Sequence, residues 1–204
     1  MPIILIRHGE TPLNAARVVQ PPDTPLSDRG RAQARAVAVR VEAMKIVGIL
    51  SSDLARAAQT AAPISERTGL PVVSTELLRE RNFGDLRGMA YDAIGFDPLG
   101  LDVEPPNGES WSVFRQRVAQ AFDCILSHRA DQEGSLAVVT HGLVIRALVE
   151  NHLRLPSGMA VPERLANTSV TVFAPNEPYA IQTLNCHRHL DADNTDDGRG
   201  LSGL

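Results

Sequence analysis

The stretch Ile3-Ile4-Leu5-Ile6-Arg7-His8-Gly9-Glu10 decides how this chain is read. Four successive aliphatic side chains, with no polar residue alternating among them, fit a short strand buried on both faces. The run stops abruptly in a cation, an imidazole and a glycine, so the strand delivers charged groups to its carboxyl end. In open α/β sheets ligands collect just beyond such ends.

Outward from that strand, residues 10–26 carry Pro12, Pro21, Pro22 and Pro25 and read as a shaped loop rather than a regular element. Ser27-Asp28 then starts a helix, with Leu26 placed as a staple, and Ala34, Val37, Ala38, Val41 and Met44 repeat at helical spacing. Residues 46–51 read as a second buried strand. Ser52 or Asp53 is expected to cap a helix that runs to Thr68 and ends at Gly69, with Pro63 kinking or restarting it. Pro71 to Thr75 makes a third strand. This β-α-β-α-β order predicts a parallel sheet with right-handed crossovers.

Residues 76–110 interrupt the rhythm with Gly84, Gly88, Gly95, Pro98, Gly100, Pro105, Pro106 and Gly108. An irregular insertion that long inside a compact domain is usually functional. A helix at about 110–131, a strand at 135–140 and a helix at about 143–153 follow, and 168–173 with 179–184 alternate around Pro175-Asn176-Glu177-Pro178 like a closing hairpin. The expected organisation is one unit over 1–186, with 76–110 as its cap, and a polar, poorly ordered tail over 187–204.

Composition narrows the function classes. Apolar residues form 43% of the 204, enough for a sizeable core. A net charge of −4 offers no general attraction to nucleic acid or an anionic membrane. Lys45 is the only lysine, so the remaining basic side chains are arginines, each a planar fork able to grip phosphate. Cys124 and Cys186 have neither metal nor disulfide spacing, and the N-terminal apolar run ends too soon for a leader. No stretch approaches the roughly 20 apolar residues that span a bilayer. A soluble protein of the cytoplasm is expected.

The strand ends then supply a set of groups. Arg7 and His8 follow the first strand; Ser51, Ser52 and, one helical turn on, Arg56 follow the second. Glu76 and Glu80 follow the third, and Thr140, His141 and Gly142 the fourth. Any one of them fits an ordinary polar group, but the set converges on phosphate chemistry. Arg56 in the first turn of a helix opposes the helix dipole unless an anion shares the region. A neutral imidazole is a competent nucleophile near pH 7 and requires neither a metal nor a cofactor. A metaphosphate-like transition state spreads charge over three oxygens, which Arg7, Arg56 and His141 can bind, and Glu80 can protonate the departing oxygen.

These residues fall in blocks that resemble a known family. Arg7-His8-Gly9-Glu10-Thr11 followed by Asn14, Pro25-Leu26-Ser27-Asp28-Arg29-Gly30 and Ser51-Ser52-Asp53-Leu54-Ala55-Arg56-Ala57-Ala58-Gln59-Thr60 come first. Leu78-Arg79-Glu80-Arg81-Asn82-Phe83-Gly84 with Gly88, Gly108-Glu109-Ser110 and Thr140-His141-Gly142 follow in order. Together, over about residues 2–185, they resemble the histidine phosphatase superfamily, the phosphoglycerate mutase-like family, and most of all its broad-specificity phosphatases. The resemblance implies a mostly parallel, mixed sheet with helices on both faces and the 76–110 insertion as a cap roofing the site. It casts His8 as nucleophile, Arg7, Arg56 and His141 as the phosphate pocket, Glu80 as proton donor and Asn14 as a further contact. Thr11, Gln20, Arg81 and Gly142 join the expected phosphate or substrate contacts. Gln20-Pro21-Pro22-Asp23, Leu13 and Thr140 depart from the usual pattern, and the first of these lies where relatives meet the organic part of the substrate.

Three readings of the site are in play. A phosphatase passes the phosphoryl group to water, a mutase returns it to the organic intermediate, and an idle binding protein does neither. The short chain, the acidic tail and the presence of both nucleophile and acid favour the phosphatase. The expected partner is a small-molecule phosphomonoester, with no nucleic acid or membrane, and a monomer or homodimer. His187, His189, Asp191 and Asp193 form a weak metal pattern read as a solvated tail, so no metal site is expected. Trp111, Phe83, Phe96, Met89 and Tyr91 either line the pocket or hold the cap down, and Arg79, Arg81 and Arg87 either read a substrate carboxylate or stay solvated.

Overall fold

The computed structural model describes residues 1–100, 103–130 and 134–191. Its strands are β1 (Ile3–Arg7), β2 (Ile46–Ser52), β3 (Val72–Thr75), β4 (Ser135–Thr140), β5 (Val170–Phe173) and β6 (Ile181–Cys186). They form one sheet in the order β3-β2-β4-β1-β5-β6. The first four are mutually parallel, while β5 runs antiparallel to β1 and β6 antiparallel to β5. The α/β class, the mostly parallel sheet and the closing hairpin agree with the sequence expectation.

Alternation explains why β1 is apolar throughout. Ile4 and Ile6 face one layer and Ile3 and Leu5 the other, and all four are fully buried. Each such side chain stabilises the fold by about 1.5–3 kcal/mol relative to exposure. Helices α2 (Asp28–Glu42) and α3 (Ala55–Thr68) cover the first face with Val37, Val41, Ala57 and Ile64. Helices α4 (Trp111–Ala130) and α5 (Gly142–Asn151) cover the second with Phe114, Ile125, Val144 and Leu148, joined by cap residues Leu78, Phe83 and Ile94.

The chain order places the site. From β1 it crosses to β2, moves outward to β3, and returns through the cap and α4 to insert β4 between β2 and β1. The strand order therefore reverses beside β1, which is where a crevice opens beyond the carboxyl ends. Arg7 pairs with Thr140 across that point, and the His8 amide donates to the Thr140 carbonyl at 2.9 Å.

Local differences from the sequence reading have clear causes. The loop over 10–26 contains a single helical turn, α1 (Pro12–Ala15), whose capping box links the Thr11 and Asn14 side chains with each other's backbone amides. Pro12 read as a breaker, yet at the first position of a helix its missing N–H costs nothing. Neither Ser52 nor Asp53 caps α3: the cap is Leu54, without a side-chain bond, and α3 continues through Pro63. Residues 187–191 are not free either, because the His189 ring bonds the Arg40 guanidinium at 3.1 Å and the Thr168 hydroxyl at 3.2 Å. The remainder of the expected tail lies outside the described residues.

Two glycines let α2 abut the chain leaving β1. A Cβ on Gly30 would lie 2.0 Å from the Glu10 carbonyl oxygen, and one on Gly9 would lie 2.6 Å from that of Gly30. Among the described residues no helix is long and apolar enough to cross a membrane.

Candidate active site

His8 stands at the end of β1 and is 2% exposed. Its carbonyl accepts from the Asn167 side-chain amide at 3.0 Å and the Thr168 amide at 3.3 Å, so its backbone is held on both sides. Its Nδ1 lies 2.7 Å from the Gly9 carbonyl, which can only accept. The ring proton is thereby assigned to Nδ1, and Nε2 keeps its lone pair. Burial, then Arg56 and Arg7, push the pKa well below 6.5, so the ring is neutral at pH 7.

The two arginines are almost wholly buried. Arg7 donates to the Leu165 carbonyl. Arg56, in the first turn of α3, donates from Nη1 to the Pro21 carbonyl at 3.2 Å, while its Nε is buried without a partner. Burial draws its pKa down to about 10, against the nearby Glu80 that raises it, so it remains a cation at neutral pH. A buried cation beside a helix N-terminus strengthens the site's preference for an anion.

His141 follows β4, with its ring centroid 5.1 Å from that of His8. Ser52 Oγ accepts the Leu54 amide at 3.3 Å and lies 2.8 Å from His141 Nε2. Its Nδ1 is buried with no partner, a polar atom that a bound ligand would satisfy. Burial, then Arg56, His8 and Arg7, hold this ring neutral too.

Glu80 comes from the cap and meets the N-terminus of α5. Its oxygens accept the Arg81 amide at 3.0 Å and the Leu143 amide at 3.2 Å. Both bonds favour the carboxylate, as do Arg56 and Arg7, yet burial outweighs them and raises the pKa above 4.5. Its backbone is clamped by Arg117, which donates to the carbonyls of Leu77, Arg79 and Glu80 and pairs with Glu109 at 2.7 Å. Sequence reasoning passed over Arg117; only Glu109, inside the Gly-Glu-Ser block, hinted at the clamp.

One cleft of about 680 Å³, including its open mouth, brings together Arg7, His8, Asn14, Gln20, Arg56, Glu80 and Arg81. His141, Thr11 and Gly142 are not among the residues that line it. The Thr11 hydroxyl donates to Gln20 Oε1 at 2.8 Å, fixing a lining side chain from behind. Arg81 lines the cleft, but its guanidinium donates to the carbonyls of Glu109, Pro98 and Val103 and lies 4.2 Å from the Trp111 ring centroid. Its donors bind the cap together. Arg79 turns away to Asp53. Phe83 and Tyr91 face the cleft, whereas Trp111 secures the cap through its indole N–H to the Gly100 carbonyl at 2.8 Å. Met89 and Phe96 are exposed and outside the lining.

The chain and its fold resemble known proteins. The model of the "Histidine phosphatase superfamily (branch 1)" matches residues 3–186. The chain belongs to the histidine phosphatase superfamily. Within that superfamily, phosphoglycerate mutase-like protein 4 of Arabidopsis thaliana is 37% identical over 93% of this chain and 86% of its own length. A protein of Erwinia tasmaniensis named "Probable phosphoglycerate mutase GpmB" is 34% identical over 83% of this chain and 82% of its own. The structure of a mycobacterial glucosyl-3-phosphoglycerate phosphatase superposes with a TM-score of 0.75 at 28% identity, covering 91% of this chain and 98% of that one. Proteins similar to this chain are named both as phosphatases and as mutases, and the mixed six-stranded sheet with its helices follows the fold of the solved neighbours.

The two histidines also set a pH dependence of stability. Both folded-state pKa values lie below the unfolded 6.5, so the unfolded chain binds more protons as pH falls past that value. Their contribution is complete above about pH 6.5 and is lost as pH drops toward the depressed values. Denaturant midpoints measured from pH 7.5 to 5 should fall steadily, and His8→Ala should flatten that slope. A midpoint independent of pH in wild type would contradict the assignment of neutral, buried rings.

Proposed function

We propose that the chain is a phosphomonoester hydrolase that works through a phosphohistidine on His8. The observation that carries this reading is the His8 ring, its Nδ1 tied to the Gly9 carbonyl and its free Nε2 set among buried Arg7, Arg56 and His141. Nε2 attacks phosphorus, the bond to the ester oxygen breaks, and that oxygen takes the Glu80 proton. Glu80, now a carboxylate, accepts a proton from water as the water oxygen bonds to phosphorus. Phosphate leaves and the imidazole is regenerated. Arg7 and Arg56 bind the equatorial oxygens throughout, with Asn14 as a further contact on the cleft lining, and the unpartnered Nδ1 of His141, whose ring centroid lies 5.1 Å from that of His8, is the next polar atom behind them. Arginine cations supply the charge stabilisation, so the reaction runs without a metal or cofactor.

A mutase would use the same nucleophile, and the relatives named as mutases keep that reading alive. Water access argues for hydrolysis. Arg87 is exposed at the cleft and Arg17 keeps 42% of its side chain in solvent, so the cleft opens to water, whereas a mutase must exclude water. The proposed setting is the cytoplasm, supported by the free cysteines and the acidic net charge, with a small phosphomonoester as partner and a monomer or homodimer as the working form.

The test is a panel of phosphomonoesters assayed for phosphate release, run beside a phosphoglycerate mutase assay with and without bisphosphoglycerate. Phosphate release should dominate, and it should survive excess EDTA. Phosphoglycerate interconversion faster than phosphate release would replace hydrolase by mutase, and an EDTA loss restored by added metal would overturn the metal-free route.

A further inference from the structure

Gln33 is a polar residue in an apolar place. It lies on the buried face of α2 with Ala34, Val37, Ala38 and Val41, and it is wholly buried itself. A side-chain amide at such a position needs hydrogen-bond partners, or it destabilises the fold. The Glu10 amide donates to its Oε1 at 2.8 Å. Gly30 stands three residues earlier on the same helical face, and its missing Cβ admits the Glu10 carbonyl. One side of α2 therefore presses on the chain leaving β1 and also holds its N–H.

The peptide group held in this way is the one that orients the nucleophile. The bond between Gly9 and Glu10 is trans, so its C=O and N–H point in opposite directions. The N–H points to Gln33, and the C=O accepts the His8 Nδ1 proton at 2.7 Å. Two hydrogen bonds in line through one rigid peptide group polarise each other, which makes the Gly9 carbonyl a stronger acceptor. The effect grows during the reaction. Once Nε2 bonds to phosphorus the ring carries positive charge, and the bond from Nδ1 to the carbonyl becomes charge-assisted. The preceding peptide group is fixed separately, with the Gly9 N–H donating to Thr60 Oγ1 at 3.0 Å and the His8 carbonyl held by Asn167 and Thr168. Loss of the Gln33 contact thus leaves those anchors in place and acts chiefly on the Gly9 carbonyl.

We propose that Gln33 is a positioning residue for the reaction: through the Gly9–Glu10 peptide group it fixes the His8 ring and supports the charge that develops there as phosphorus is attacked. It touches neither the substrate nor the reacting atoms. The ring becomes charged only when Nε2 engages phosphorus, so the support is greater in the transition state than in the ground state. Phosphoenzyme formation therefore depends on Gln33 more than phosphate binding does. The proposal rests on the phosphohistidine reading for its kinetic consequence, and on the geometry around His8 for its structural one.

Gln33→Met keeps the length of the side chain and removes the acceptor. In rapid-quench measurements with p-nitrophenyl phosphate, phosphoenzyme formation should slow by about tenfold or more, while the dissociation constant of inorganic phosphate stays within about twofold. Gln33→Glu, which burial keeps in the acid form with an acceptor oxygen, should remain within about threefold of the wild-type rate. A third readout needs no turnover. Nitrogen NMR of isotope-labelled wild-type protein at pH 7 should show the His8 ring, identified by its absence from His8→Ala, protonated on Nδ1 and not on Nε2. The Nδ1–H proton resonance should move upfield in Gln33→Met as its hydrogen bond weakens. A smaller slowing in Gln33→Met, an equal loss of phosphate affinity or an unmoved Nδ1–H resonance overturns the proposal. A wild-type ring protonated on Nε2, or a folded Gln33→Glu protein slowed beyond that limit, overturns it even where Gln33→Met does not fold. A Gln33-dependent Nδ1–H resonance in a wild-type protein that forms no phosphoenzyme supports the positioning and defeats the hydrolase reading alone.

Discussion

The His8→Ala protein is expected to lose at least about a thousandfold of kcat/KM for every phosphomonoester tested. The substitution removes the nucleophile, and no other group beside the buried arginines replaces it: His141 Nε2 faces the Ser52 hydroxyl at 2.8 Å. A second readout follows from the chemistry. Phosphohistidine is acid-labile, so wild-type protein quenched during turnover should carry phosphate that is released by acid, and His8→Ala should carry none. A far-ultraviolet dichroism spectrum and a melt would show that the variant is folded, since His8 is packed under the loop of Asn167 and Thr168. Turnover within tenfold of wild type by a folded variant would end the phosphohistidine mechanism.

The second large effect is selective. Glu80→Gln keeps the size of the side chain but removes the transferable proton. Alkyl phosphates, whose alkoxide must be protonated as it leaves, should lose about a hundredfold or more in kcat. p-Nitrophenyl phosphate, which departs as a stable anion, should lose less than about tenfold in formation of the phosphoenzyme. The raised pKa of Glu80 adds a sign: the acid form persists above pH 4.5, and alkyl phosphate turnover should decline on the alkaline side as that proton is lost. In Glu80→Gln that alkaline decline should vanish. Equal losses on both substrates would remove Glu80 from the role of proton donor and leave it a structural link between the cap and α5 through the Leu143 amide.

Some of this was legible from residue order. An aliphatic run such as Ile3-Ile4-Leu5-Ile6 has few stable fates other than a strand buried on both faces, and glycine after Thr68 has an equally local reason to end a helix. The capping roles were less legible. Ser52 was expected at the head of α3 because serine caps well in isolation, but its hydroxyl is drawn to His141, a residue 89 positions away. Pro12 follows the same logic: whether a proline breaks or starts a helix depends on the residue that precedes it, here Thr11 with its Asn14 partner.

By itself, then, the sequence determined the local facts about this protein: which runs are buried, where chain direction turns, and that Arg7, His8, Arg56, Glu80 and His141 fall next to strand ends. Those depend on side-chain hydrophobicity and backbone preference within a few residues. Tertiary structure alone decided how each polar group is used. Identical guanidinium groups were sorted by their surroundings: Arg7 and Arg56 buried beside His8, Arg81 and Arg117 consumed by backbone carbonyls of the cap, Arg79 paired with Asp53, and Arg17 and Arg87 left open on the cleft. Hydrogen bonding and desolvation depend on neighbours brought from distant positions, so the same residue type becomes a phosphate ligand, a clamp or a free cation only once the chain has folded.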